Sequence, residues 1–152
     1  MNVLLLNASP RGEASNTLLL AKAFVRGLGG SCETVTLAEK TVAPCTGCMA
    51  CWKRGDGRCV FDDDVCNSIS AKAESADAFV FGSPVYYGQP NGALLAVVQR
   101  MLMSNNQNFK YKPVANVAVC RRGGATASFQ TMNMAFNMLS MPQVTSQYWN
   151  IA

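Results

Sequence analysis

Short apolar runs alternate along this chain with longer segments whose apolar residues recur at helical spacing, and that alternation limits the fold more than any other feature. Val3 to Asn7 is a continuous apolar run, as in a strand buried on both faces. A helix is predicted from about Thr17 to Leu28, with Leu20, Phe24 and Leu28 at spacing four and Gly29-Gly30 as its stop. Glu33 to Ala38 alternates like a second strand. Asp62-Asp63-Asp64 opens a second helix with Val65, Ile69 and Ala73 as its buried stripe, since unpaired N–H groups of a first turn favour acidic residues. Asp77 to Gly82 is a third strand and Asn91 to Met103 a third helix, with Leu94, Val97, Val98 and Met101 inward. Pro113 to Cys120 is a fourth strand. A fourth helix follows from about Ala127 to Ser140, with Phe129, Met132, Phe136 and Leu139 on one face, and Gln143 to Trp149 is a fifth strand. Strands alternating with helices give an α/β three-layer sandwich around a five-stranded parallel sheet. In the order 2-1-3-4-5, the loops after strands one and three meet at the ligand-binding crevice.

A chain of 152 residues fits a single domain, 1–152, with a sizeable core. No apolar run reaches transmembrane length and the N-terminus lacks a signal-peptide pattern, so the reading is cytoplasmic with no membrane partner. The net charge of +4 comes from scattered basic residues. It suits an anionic small ligand and lacks the clustered stripe of a nucleic-acid binder. Histidine is absent, which excludes His-containing triads and His-ligated metals.

Unusual residues gather in the loops after strands one, three and four. The first carries Ser9, Arg11, Ser15, Asn16 and Thr17 ahead of a helix start, a set that serves an anionic phosphate or plain helix capping. The second, Ser83-Pro84-Val85-Tyr86-Tyr87-Gly88, offers aromatic faces to a planar ring, or forms a hydrophobic turn. The third, Arg121-Arg122-Gly123-Gly124, leaves backbone room for a flat ligand, or is a glycine turn with solvated arginines. Their common position at strand ends favours a phosphorylated planar cofactor.

Four of the seven cysteines, Cys45, Cys48, Cys51 and Cys59, read C-x2-C-x2-C-x7-C. Compact runs of this kind hold iron–sulfur clusters, and zinc fits the spacing less well. Gly55 and Gly57 let the chain turn back to deliver Cys59. The set is compatible with a [4Fe-4S] cluster, and equally with thiols lining a loop without metal. Cys32, Cys66 and Cys120 are expected to pack as small apolar residues. Lys110 and Lys112 are expected in a solvated turn, and Trp149 at a strand end.

The stretches NVLLLNASPRGEASNTLLLAKAF, APCTGCMACWKRGDGRCVFDDDV and ADAFVFGSPVYYGQPNGALLAVVQRM resemble the NAD(P)H-dependent FMN reductase family with its flavodoxin-like fold. Within it they are similar to the branch of iron–sulfur flavoproteins. The resemblance implies FMN, with its phosphate on Ser9, Arg11, Ser15, Asn16 and Thr17. It sets the isoalloxazine ring against Pro84, Val85, Tyr86, Tyr87 and Gly88, and Gly123 and Gly124 along the ring's other edge. It implies NAD(P)H as electron donor, a quinone, free flavin or other small molecule as acceptor, and no catalytic side chain. The alternative is an electron carrier between ferredoxin and a partner. The chain departs from the family at Leu95 and Gln99, where many relatives carry Lys and Asp, and it stops without the usual last helix. A homodimer or homotetramer is expected to cover the sheet face left bare.

Overall fold

The computed structural model describes residues 1–147 and 151–152. In chain order its elements are β1 (Asn2–Asn7), α1 (Asn16–Leu28), β2 (Ser31–Thr36), α2 (Ala50–Arg54), α3 (Cys66–Lys72), β3 (Ala78–Tyr86), β4 (Gln89–Pro90), α4 (Gly92–Ser104), β5 (Val114–Val119) and α5 (Ala125–Asn137). The fold is α/β and flavodoxin-like. β1 pairs in parallel with β2 and β3, and β5 pairs in parallel with β3. After α5 the chain returns alongside β5 through parallel bridges from Gln143 to Val114 and from Ile151 to Ala118. The long strands follow the expected order as β2-β1-β3-β5, with the short β4 on the end of β3, and the expected fifth strand is represented among the described residues by the single bridges at Gln143 and Ile151. The far end of the expected fifth strand, with Trp149, lies outside the described residues.

Side chains alternate across a strand, so each strand feeds two cores. Leu4, Leu6, Phe79 and Phe81 face α3, α4 and α5, while Val3, Leu5, Val80 and Val117 face α1. The first core is the more aromatic: Phe81 stacks on Phe136 with ring centroids 4.6 Å apart, and Phe79 meets Phe109 at 4.8 Å. Each fully buried side chain of this size contributes about 1.5–3 kcal/mol of transfer free energy. Phe81→Ala would cost about 3–5 kcal/mol, because the cavity it leaves cannot fully close.

The structure departs from the sequence reading at several points. On α1 the buried stripe is Leu18, Ala21 and Val25; Leu20 and Phe24 are half-buried and Leu28 is exposed. The cause is a close approach: a Cβ on Gly82 of β3 would meet the Thr17 methyl at 3.0 Å and Ala21 at 3.7 Å. Thr17 and Ala21 therefore meet β3 closely at Gly82, which brings Leu18 and Val25 into the core and turns Leu20, Phe24 and Leu28 aside. β3 runs on past Gly82, because Ser83 and Pro84 still pair with β5 before the strand turns into β4. α3 starts at Cys66, since Asp64 accepts the Cys66 N–H ahead of the helix at 2.9 Å. Cys32 is exposed, not packed, because β2 is an edge strand with an open outer half. Lys112 is no solvated turn residue: its Nζ donates to Ala73 O at 2.7 Å, at the end of α3, and sits over the Phe79 ring. Burial there pulls its pKa down. Among the described residues no helix is long and apolar enough to cross a membrane.

Candidate functional site

The loop between β1 and α1 is shaped from within. Asn7, fully buried at the end of β1, accepts the Ser9 N–H at 3.2 Å and donates to Gly12 O at 3.1 Å. Ser9 Oγ accepts the Arg11 N–H at 3.3 Å, which leaves its own hydrogen free to donate outward. Ser15 is the N-cap of α1 and accepts the Leu18 N–H at 3.1 Å. Capping is therefore real, and it leaves room for an anion, because the N–H groups of Asn16 and Thr17 in the first turn have no partner within the helix. Ser9, Ser15 and Thr17 are buried while Arg11 and Asn16 are exposed, so the loop offers buried donors beside an exposed cation.

The second loop is a β-hairpin. Tyr86 pairs with Gln89 across Tyr87 and Gly88, whose φ values of +50° and +75° make a two-residue turn with both residues left-handed. Tyr87 stands fully out in solvent, and Tyr86 is about half exposed at 47%. Ser83 anchors the base of the loop by accepting the Asn91 N–H at 2.8 Å, and Asn91 in turn caps α4 through Ala93 N–H. The third loop closes directly on this hairpin. A Cβ on Gly124 would stand 2.7 Å from Gly88 Cα and 3.2 Å from Val85 Cγ1, and its φ is +91°. Only glycine permits that approach. The first loop leaves the β1–β3 ladder beside the second, through Ala8 N–H to Gly82 O of β3 at 2.8 Å. All the residues assigned to the FMN phosphate and ring thus stand on three contiguous loops at the carboxyl end of the sheet. A donor-rich helix start beside a glycine-floored aromatic hairpin fits a phosphate joined to a flat ring.

The cysteine segment lies between β2 and α3, on the side of α4. Cys45, Cys48, Cys51 and Cys59 line one recess together with Phe61 and Arg100. The segment is not all loop: α2 carries Cys51 inward and is pinned by Trp52 Nε1, which donates to Met103 O at 2.9 Å. Asn67 of α3 holds Cys59 on both sides of its peptide, accepting its N–H at 2.8 Å and donating to its carbonyl at 2.9 Å. Arg100 of α4 is the largest fully buried side chain and donates to Cys59 Sγ, Ala43 O and Phe61 O, and to Asp64. Burial opposes its charge, but the bonds to Asp64 and Cys59 outweigh that and its pKa rises. The thiols are not equivalent. The Ala50 N–H lowers the pKa of Cys48, whereas burial raises that of Cys51. Burial pushes Cys66, beneath the recess, up to about 12.

Among the described residues no three Cys, Asp or Glu side chains close on one point as a single ion requires. A cubane cluster takes its thiolates at separate corners rather than at one point, and the recess is lined by four thiols, the donors such a cluster takes. The donor set fits a [4Fe-4S] cluster. Sequence reasoning missed Arg100, Asn67 and Asn7. The available signal for Arg100 was its place three residues after the inward Val97, which puts a charge at the edge of a buried stripe.

Known proteins align with this chain over nearly its full length. An iron–sulfur flavoprotein of Methanocaldococcus jannaschii is 32% identical over 146 residues, covering 93% of this chain and 74% of that protein. Two solved structures share the fold at low identity. A flavoenzyme NAD(P)H:(acceptor) oxidoreductase from Paracoccus denitrificans superposes with a TM-score of 0.71 at 16% identity, covering 99% of this chain and 78% of the other. An FMN-dependent NADH-azoreductase from Bacillus anthracis, solved with FMN, gives 0.66 at 15% identity, over 95% and 86%. The family model described as NADPH-dependent FMN reductase matches residues 1–152. By that match, and by the relative at 32% identity, the chain belongs to the NADPH-dependent FMN reductase family.

Proposed function

We propose that this chain is an FMN-dependent oxidoreductase that takes electrons from NAD(P)H and passes them to a quinone, free flavin or other small acceptor. The observation that carries the reading is the convergence of three loops at the carboxyl end of the sheet, the first starting where Ala8 bonds to Gly82 of β3 and the third packing Gly124 on Gly88. Bound FMN would supply the hydride and electron chemistry. The protein's part is to bind and orient it. Ser9, Ser15, Asn16 and Thr17 offer hydroxyl and backbone donors to the phosphate, and Arg11 adds a charge from solvent. Pro84, Val85, Tyr86, Tyr87 and Gly88 would lie against the ring, with Gly123 and Gly124 along its other edge. In this reading no side chain need perform acid–base chemistry, since the flavin carries the hydride. Residues 1–152 act as one FMN-binding domain, and Leu20, Phe24, Val119 and Val144, half-exposed beside α1, favour a homodimer or homotetramer. The test is NAD(P)H oxidation by FMN-loaded protein across a panel of quinones, flavins and azo dyes. Stoichiometric FMN with no turnover on any acceptor would overturn the reading.

A second reading is favoured by the recess itself. Four thiols around one hollow, in a chain 32% identical to an iron–sulfur flavoprotein, support a [4Fe-4S] cluster that receives electrons from ferredoxin or hands them to a partner protein. Cys45, Cys48, Cys51 and Cys59 would be its ligands. Iron and sulfide well below cluster stoichiometry after anaerobic reconstitution would remove this reading and leave the first intact.

A further inference from the structure

We propose that Arg100 is the positioning residue of the cysteine recess: from α4 it fixes Cys59 and sets the charge felt by a [4Fe-4S] cluster bound there. The inference rests on the cluster reading above.

Arg100 is 1% exposed, so its charge must be met by partners inside the protein. Every partner lies on the cysteine segment. Nε donates to Cys59 Sγ at 3.3 Å, Nη1 to Ala43 O at 3.3 Å and to Asp64, and Nη2 to Phe61 O at 2.6 Å. The Phe61 ring closes over the guanidinium at 5.8 Å. A Leu or Met on α4 could anchor a loop with less desolvation than a buried ion pair requires. An apolar anchor, however, could not direct an N–H at sulfur. A thiol is a weak acceptor, whereas a thiolate accepts a charge-assisted bond. The Nε–H is therefore already aimed at the Cys59 sulfur that a bound cluster would use.

The same arrangement acts on electron affinity. Four thiolates give a bound cluster net negative charge, and reduction adds one more. An N–H to sulfur and a nearby cation stabilise the reduced form more than the oxidised form, which raises the potential. Asp64 lies against the same guanidinium and opposes it. Arg100 and Asp64 should thus move the potential in opposite directions, which a purely structural clamp would not do.

The test uses the full chain with FMN bound, reconstituted anaerobically with ferrous iron and sulfide. Iron and sulfide per chain, the rate of iron loss to a chelator and the cluster reduction potential are measured. FMN content serves as the check on folding. Arg100→Gln should lower the potential and speed iron loss by about 10- to 100-fold, the usual effect of removing an outer-sphere partner. Arg100→Lys should recover much of the potential, because it restores the charge, but less of the retention, because it lacks the fork. Asp64→Asn should raise the potential. Should Arg100→Gln not fold, Arg100→Lys and Asp64→Asn still carry the sign test. A wild-type cluster whose potential is unmoved by these changes, or moved the same way by Arg100→Gln and Asp64→Asn, would overturn the proposal while sparing the cluster. Wild-type protein without iron and sulfide would overturn both.

Discussion

In the loop after β1, Asn7 reaches five residues along the chain to shape the turn; in the cysteine segment, Arg100 reaches across 41 residues to hold Cys59. The first region is written locally. Its caps, glycines and short polar side chains bond to neighbours in sequence, and the strands bring the three loops together. The second is written at a distance. Its thiols are local, but α3 and α4 supply the groups that hold them. A local site should weaken by degrees when its residues change, while one held by a buried ion pair should fail together.

The largest expected effect tests the second half of that contrast. Asp64→Ala strands the buried guanidinium, and breaking a buried pair from one side costs about 3–5 kcal/mol. Urea unfolding of the metal-free protein measures it; a loss under about 1 kcal/mol would mean that the segment is not held through Arg100. Next comes Gly124→Val, which forces a side chain into Gly88 at a left-handed backbone position. FMN affinity should fall at least about tenfold, equivalent to about 1.4 kcal/mol, by fluorescence titration. Iron content should be unchanged, and a parallel loss of iron would show that the two regions are coupled. Ser15→Ala removes the α1 cap and should cost about 1 kcal/mol of stability in thermal melts, with weaker FMN binding. Stability without any cost would mean that the cap is dispensable.

The smallest effect concerns acid. The hydrogen bond from Asn67, aided by the Arg58 charge, holds the Asp62 carboxyl below its ordinary pKa. Its folded pKa is thus lower than its unfolded one. The stabilisation is full above the unfolded value of about 4 and fades as pH falls through the folded value. Hydrogen exchange of the cysteine segment should quicken over that window in wild type, and Asp62→Asn should flatten the response. An equal response in both proteins would assign the acid sensitivity elsewhere.

How much of this was legible follows the same division. β1 is a continuous apolar run, β5 an apolar run broken only by Asn116, and α4 and α5 carry clean periodic stripes, so their positions were readable to within a few residues. The turn at Tyr87-Gly88 was not, because a left-handed tyrosine is an unusual choice where Asn or Asp commonly stands. α2 was hidden for another reason. A helix of five residues has no periodicity to read, and its pins are tertiary, from Trp52 and Cys51 to the carbonyl of Met103. The α1 stripe was misjudged because the missing Cβ at Gly82 decides which α1 face can come close. The donors after β1 were visible as residue types, whereas the function of Asn7 depends on its burial at a strand end.

The anchoring of the cysteine segment also bears on how such a chain can vary. The bonds that fix it end on α3, on α4 or within the segment itself, and none described above ends on a strand. The sheet and its three loops can keep their register whatever the segment carries. A lineage could therefore shorten the segment, lose its thiols or refit them for another centre while the strand-end loops stay intact. In that sense the recess is a replaceable module on a fixed chassis, and Arg100 is the fastening that would have to change with it.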